Sequence, residues 1–421
     1  MPETADVQSR GQASVEGPAS WRAAFMTLAI LSISFGAPLM IVVGMKPMQE
    51  ALGTDRAVLA LAGSLVWVGT GAGGILMGWL ADRIGLRLTV AIGASMIAGG
   101  LALSATGSIT ALYVGHGLML GFLGSGGVYP PLLVYVSRWF DRRRGTAIAL
   151  ISSGQYIAGV VWPSLFEVGF SSVGWQATML AFAAIVLVVI VPATLLLGPP
   201  PAAPAPTQPG AGTGAVRGRP RIAGLPPNAV QALLCVAGFC CCIPMSVPQG
   251  HLVAFCSDIG ISPARSAVML SVMLAAAFIA RQAWGALADR IGGLRTILVG
   301  SASQAVAVSC FLLTQDEAGL FAAAAAFGLG FAGIIPAYSV AIRDLFPSAE
   351  ASWRMPLTLF TAMSGMAVGS WFAGLLYDHF AYYAPAFAVG IAFNLLNLGL
   401  IGFLVMRTGG WRRAPAWPAA A

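Results

Sequence analysis

Windows of about 20 residues almost free of charge recur along the whole chain, at approximately 23–45, 57–80, 88–107, 111–137, 146–168, 175–197, 229–255, 266–288, 296–314, 318–342, 354–377 and 384–406. At a rise of about 1.5 Å per residue each is long enough to cross the hydrocarbon of a bilayer as a helix. The stretch from Gly198 to Asn228 breaks the pattern, and its density of Pro and Gly marks an extended linker rather than packed structure. The pattern therefore predicts an all-α membrane protein of twelve transmembrane helices in two six-helix bundles. Its parts are a disordered N-terminus 1–22, a first bundle 23–197, the linker 198–228, a second bundle 229–406 and a tail 407–421.

A repeat supports the division. Gly78-Trp-Leu-Ala-Asp82-Arg83-Ile-Gly85 returns as Gly285-Ala-Leu-Ala-Asp289-Arg290-Ile-Gly292, each copy closing an apolar window. Two copies of one unit, in a chain this apolar, suggest a transporter built from two related halves.

Composition excludes a soluble protein and charge placement sets an orientation. Of 421 residues 58% are hydrophobic and 9% charged, where soluble domains carry about a quarter charged residues. The net charge of +7 does not indicate a nucleic-acid partner, because the basic residues gather on one face. With an even number of spans, Arg22, Arg83, Arg87, Arg138, Arg143, Arg290, Arg295, Arg343, Arg354 and Arg407 share the face of both termini, and only Lys46, Arg56 and Arg265 lie opposite. That bias places the termini and linker in the cytoplasm, for a multi-pass protein of a bacterial inner membrane. The first twenty residues lack the basic and apolar segments of a cleaved signal, so the first span is expected to be retained. Five of the six cysteines crowd the seventh span as small apolar residues, and neither a metal site nor a cofactor is implied.

Small residues four apart (Gly69 and Gly73, Gly74 and Gly78, Gly117 and Gly121, Gly365 and Gly369) mark close helix contacts. Gly124, Gly126 and Gly127, followed by Tyr129, Pro130 and Pro131, are expected to interrupt the fourth span at mid-depth beside a cavity.

In each copy of the loop an acidic and a basic residue precede the reversing glycine, and Arg87 or Arg295 opens the next helix. Asp82, Arg83, Arg87, Asp289, Arg290 and Arg295 are therefore read as gating residues, the carboxylates pairing with arginines or with a neighbouring helix N-terminus. Such contacts would latch the cytoplasmic face shut in an outward-facing state. The cassette G-x-L-A-D-R-x-G-x-R at 78–87, its copy at 285–295, the twelve spans and the central linker resemble the major facilitator superfamily over nearly the whole chain. The resemblance speaks to fold and not to substrate.

Arg281 is the one basic residue deep inside a span, and an intramembrane charge is a functional candidate. Glu167, Asp344 and Asp378 sit near span ends, so no carboxylate is expected at its depth. An unpaired guanidinium offers two parallel N–H donors to a substrate carboxylate. The segments Phe278-Ile-Ala-Arg281-Gln-Ala-Trp-Gly285 and 138–149 resemble the monocarboxylate transporters and the oxalate/formate antiporters. That resemblance implies that Arg281 binds substrate carboxylate. The chain departs from it at Ala277 and Leu39, where many monocarboxylate transporters carry a proton-linked Asp and Lys, and it has no Lys in the eleventh span. Tyr129, Gln155, Tyr156, Gln282 and Tyr338 are candidate neutral donors at central depth. Gln249 and His251 lie nearer the outer end, where His251 is a candidate proton-linked group.

The expectation is a monomeric secondary transporter of small organic anions, chiefly monocarboxylates, coupled to protons or a counter-anion. An exporter of drugs or neutral solutes, and a non-transporting membrane sensor, are the alternatives. Enzymatic activity is not expected, since no nucleophile or metal cluster shares one depth.

Overall fold

The computed structural model describes residues 16–140, 143–199, 222 and 224–409. Twelve helices among them are long and apolar enough to cross a membrane. The first six are α1 (Pro18–Leu52), α2 (Arg56–Ile84), α3 (Leu86–Ser104), α4 (Ile109–Trp139), α5 (Gly145–Val173) and α6 (Trp175–Leu195). The second six are α7 (Pro227–Asp258), α8 (Pro263–Ile291), α9 (Gly293–Leu313), α10 (Glu317–Leu345), α11 (Trp353–Phe380) and α12 (Ala384–Arg407). Because the helices alternate in direction, the start of α1, the stretch between α6 and α7 and the end of α12 share one face, the terminal face. The opposite face is the distal face.

Most helices overrun the apolar windows by a few residues, because backbone hydrogen bonding continues after hydropathy falls. The expected N-terminal segment 1–22 is shortened at its end, since α1 begins at Pro18, a residue suited to the first helical position. The remainder of that segment, most of the linker and most of the tail lie outside the described residues. Both copies of the repeated loop take the same turn. Gly85 (φ 87°, ψ 154°) and Gly292 (φ 83°, ψ 163°) occupy backbone conformations that only glycine adopts without strain, and they end α2 and α8. The sequence repeat is thus a structural repeat.

Glycines draw helices together within each bundle. A Cβ on Gly69 would lie 2.6 Å from the Gly117 carbonyl oxygen, and one on Gly73 would overlap the Phe122 carbonyl, so α2 and α4 meet backbone to backbone. Gly365 and Gly369 of α11 meet α7 at Phe239 and Ile243 in the same way. The Gly74–Gly78 pair differs, because Gly74 abuts Pro130 while Gly78 has nothing within 4 Å.

The fourth span is not interrupted as its glycines and prolines suggest. Val114–Ser125 winds as a wide π-helix, and Gly126–Trp139 continues as α-helix with Pro130 and Pro131 inside it. The wide turns let glycine carbonyls approach α2 and α3 while the helix keeps its hydrogen bonds.

Candidate functional site

A cavity of about 180 Å3 lies between the two bundles. From the first bundle Phe35, Leu39, Val42, Trp67, Tyr129, Gln155 and Tyr156 face it, and from the second Met245, Gln249, Leu274, Arg281, Phe331 and Met366. Of the six residues expected to bind substrate, four meet here: Arg281, Tyr129, Gln155 and Tyr156. The expected break at 124–131 was wrong in geometry, yet Tyr129 does reach the cavity.

The other two do not. Gln282 is exposed and absent from the cavity wall, because one residue step turns a helical side chain by about 100° from Arg281. Tyr338 is buried within the second bundle, its hydroxyl donating to Asn397 Oδ1 at 3.1 Å while Asn397 Nδ2 donates to Ser301 Oγ at 2.7 Å. Depth alone cannot distinguish faces of a helix, and Tyr338 stabilises its own bundle.

Arg281 has no carboxylate within ion-pair distance among the described residues, and its Nε is buried without a hydrogen-bond partner. Its guanidinium carbon lies 5.2 Å from the centroid of the Tyr156 ring, and that ring meets Phe331 edge-on at 6.2 Å. A cation held by an aromatic face and lacking an anion is a ready carboxylate receptor. Gln249, placed by sequence nearer the outer end, lines this cavity with a buried Nε2 that also lacks a partner.

Beyond the cavity, on the distal side, polar contacts tie the bundles together. Arg56, at the start of α2, is ion-paired with Asp258 at the end of α7, and its side chain is only 3% exposed. Its Nη1 also donates to Tyr383 Oη at 3.0 Å, and the guanidinium carbon sits 3.7 Å over the Tyr377 ring. Asp378 at the end of α11 accepts from the backbone N–H groups of Arg56 (2.9 Å) and Ala57 (2.7 Å), which begin α2 and carry its positive dipole end. Lys46 reaches Asp258 at 3.5 Å, and Ser64 Oγ donates to the Ala367 carbonyl at 2.7 Å.

His251 joins this network. One ring nitrogen, Nε2, lies 2.8 Å from the Ser370 carbonyl, which can only accept, so that nitrogen carries the proton. Nδ1 lies 2.9 Å from Tyr383 Oη, and the chain of contacts runs from Arg56 through Tyr383 to the imidazole. The charged groups facing it are Arg56 from α2 and Asp258 from its own helix, with Asp378 across the network. Asp258, Asp378 and Tyr383 were missed as partners in this inter-bundle network. Their signal was the scarcity of charge on the distal face, where Arg56 and Lys46 had to find anions.

In the first repeated loop, expected to help latch the terminal face, the contacts of Asp82, Arg83 and Arg87 lie within the first bundle. Asp82 is 3.9 Å from Arg138, Arg83 lies over Trp79 at 4.0 Å, and Arg87 Nε donates to the Leu197 carbonyl at 2.6 Å. In the second copy Arg295 Nη1 donates to the Ile291 carbonyl at 3.3 Å, while Asp289 and Arg290 are exposed. On the terminal face a carboxylate outside the repeated loops, Asp344, meets a helix N-terminus, accepting from Gly293 N–H at 2.9 Å. The inter-bundle polar contacts that involve Arg56, Lys46, Ser64, Asp258 and Asp378 thus lie on the distal side of the cavity.

The sequence of these two bundles matches the family model of the Major Facilitator Superfamily over residues 24–255 and 234–419. The chain belongs to that superfamily. Among curated relatives, Monocarboxylate transporter 13 of Bos taurus is 26% identical over 328 residues, covering 76% of this chain and 74% of the relative. MFS-type transporter pynF of Aspergillus niger is 25% identical over 340 residues, covering 79% and 75%. In fold, the chain superposes on a bacterial homologue of the human lysosomal transporter Spinster in its inward-facing, occupied conformation, with a TM-score of 0.68, 15% identity and coverage of 96% and 100%. The chain is thus a multi-pass facilitator-type transporter that resembles the monocarboxylate transporters.

Proposed function

We propose that this protein is a secondary active transporter of small organic anions, chiefly monocarboxylates, and that Arg281 pairs with the substrate carboxylate. One observation carries the reading: a guanidinium in the central cavity, inside the membrane, without a protein anion. A buried charge is held at a penalty unless a partner arrives, and here the partner is the substrate. The resemblance to Monocarboxylate transporter 13 supports it, since that relative's name states the same substrate class.

In this reading the terminal face is cytoplasmic, by the positive-inside bias, and the protein works as a monomer in a bacterial inner membrane. On that orientation the arrangement is read as inward-facing. Substrate leaves or enters from the cytoplasm while the Arg56–Asp258–Asp378 gate seals the outside. Rocking the bundles opens that gate and brings the loops at Asp82 and Asp289 together on the cytoplasmic side. His251, beside the outer gate, takes up the coupling proton when the gate opens to external water.

The test is uptake of labelled lactate, pyruvate, formate and oxalate into proteoliposomes, with and without a pH gradient. Arg281→Gln, which keeps length and loses charge, is expected to lower kcat/KM by 100-fold or more for any acid the wild type carries. Unchanged transport of the same acid by Arg281→Gln refutes the role.

A further inference from the structure

The cavity around Arg281 has a long axis and a graded chemistry. Gln249 lies nine residues below the distal end of α7, and Arg281 lies eighteen residues below the distal start of α8, these two ends being joined by a short loop. At 1.5 Å per residue the two levels differ by on the order of 13 Å. Between them the wall is mostly apolar, with Leu39, Val42, Trp67, Met245, Leu274 and Phe331 interrupted by the hydroxyls of Thr70, Ser246 and Ser370. The guanidinium therefore sits toward the terminal end beside Gln155 and Tyr156, a mostly apolar stretch follows, and Gln249 lies toward the distal end with its Nε2 unpartnered.

At roughly 15 Å3 of such space per water, the cavity of about 180 Å3 holds on the order of ten waters. Formate or lactate bound at Arg281 would leave most of that water against hydrocarbon. A rigid aromatic body would displace it and gain contact along the whole wall.

We infer that this site, granted the carboxylate reading of Arg281, selects aryl monocarboxylates bearing a hydrogen-bond acceptor at the far end of the ring, rather than compact hydrophilic acids. The carboxylate meets Arg281, the ring lies between Trp67 and Phe331, and the distal oxygen accepts from Gln249. Tyr156 closes over the carboxylate end, holding the guanidinium plane that the two carboxylate oxygens share.

The experiment is calorimetric titration of the purified full chain at pH 7.5 with 4-hydroxyphenylacetate, phenylacetate, lactate, formate and the neutral 4-hydroxyphenylacetamide. Direct binding avoids passive leak of the aromatic acids through lipid. The expected order is 4-hydroxyphenylacetate first and phenylacetate second, the latter ahead of lactate by about 50-fold for the buried ring. Gln249→Leu is expected to abolish the advantage of the hydroxylated acid over phenylacetate. If lactate or formate binds as tightly as the aryl acids and needs Arg281, the aryl selectivity is wrong while the carboxylate reading stands. If the neutral amide binds as tightly as the acid, or Arg281→Gln binds the acid unchanged, the carboxylate reading itself fails. Binding of none of the five overturns both.

Discussion

Replacing Asp258 by Asn tests the distal gate directly. In the sealed arrangement the Arg56 side chain is 3% exposed and that of Asp258 18%, so the variant leaves a guanidinium buried with tyrosines but without its principal anion. Removing one partner of a buried pair costs about 3–5 kcal/mol. Because Asp258 keeps some access to water, a fair figure is about 2–3 kcal/mol, and the contact to Lys46, whose side chain is 39% exposed, adds little. The penalty falls on the sealed state alone, since an opened gate hydrates Arg56. The ratio of open to sealed molecules should therefore rise by roughly 30- to 150-fold. Spin labels at Thr106 and Gln315, exposed residues of distal loops in different bundles, report that ratio by double electron–electron resonance in a background freed of the six native cysteines. The longer distance should gain population by that factor. Restoring an apolar contact with Arg56→Met and Asp258→Leu together should bring the shorter distance back. A ratio that moves less than threefold in Asp258→Asn would refute the gate.

Two further outcomes follow from the same geometry. Gly73→Ala forces a methyl into the Phe122 carbonyl and should lower thermal stability by about 1–3 kcal/mol, whereas Gly78→Ala, one turn on and facing open space, should be neutral or slightly stabilising; equal melting temperatures would contradict the packing. His251→Gln should keep anion exchange between equal pH values yet lose the stimulation by an inward proton gradient, and retained stimulation in the uptake assay would remove His251 from the coupling.

The fold was largely legible because lipid imposes one rule along the whole chain: a spanning helix must be long and apolar. The windows found all twelve helices, and the doubled glycine loop found their two halves. The site was legible only where burial and charge conflict, as at Arg281. Its neutral neighbours were read by depth, which is one coordinate of two, so Tyr129, Gln155 and Tyr156 fell in the cavity while Gln282 and Tyr338 fell on other faces. The gate escaped because its parts are separated by about 200 to 320 residues and each looks like an ordinary span end. The loop latch was expected for an outward-facing state, and a sequence does not say which of two conformations the molecule adopts.

One helix, α2, carries Arg56 at its distal end and Asp82 at its terminal end, 26 residues and about 39 Å apart. Gly69 and Gly73 seat its middle on the backbone of α4, so the helix is held near its centre and cannot bend there without breaking that contact. In the proposed cycle such a rod would act as a seesaw, one end moving toward the opposite bundle as the other moves away. Mutual exclusion of the two openings would then need no signal between them, only the stiffness of a single rod.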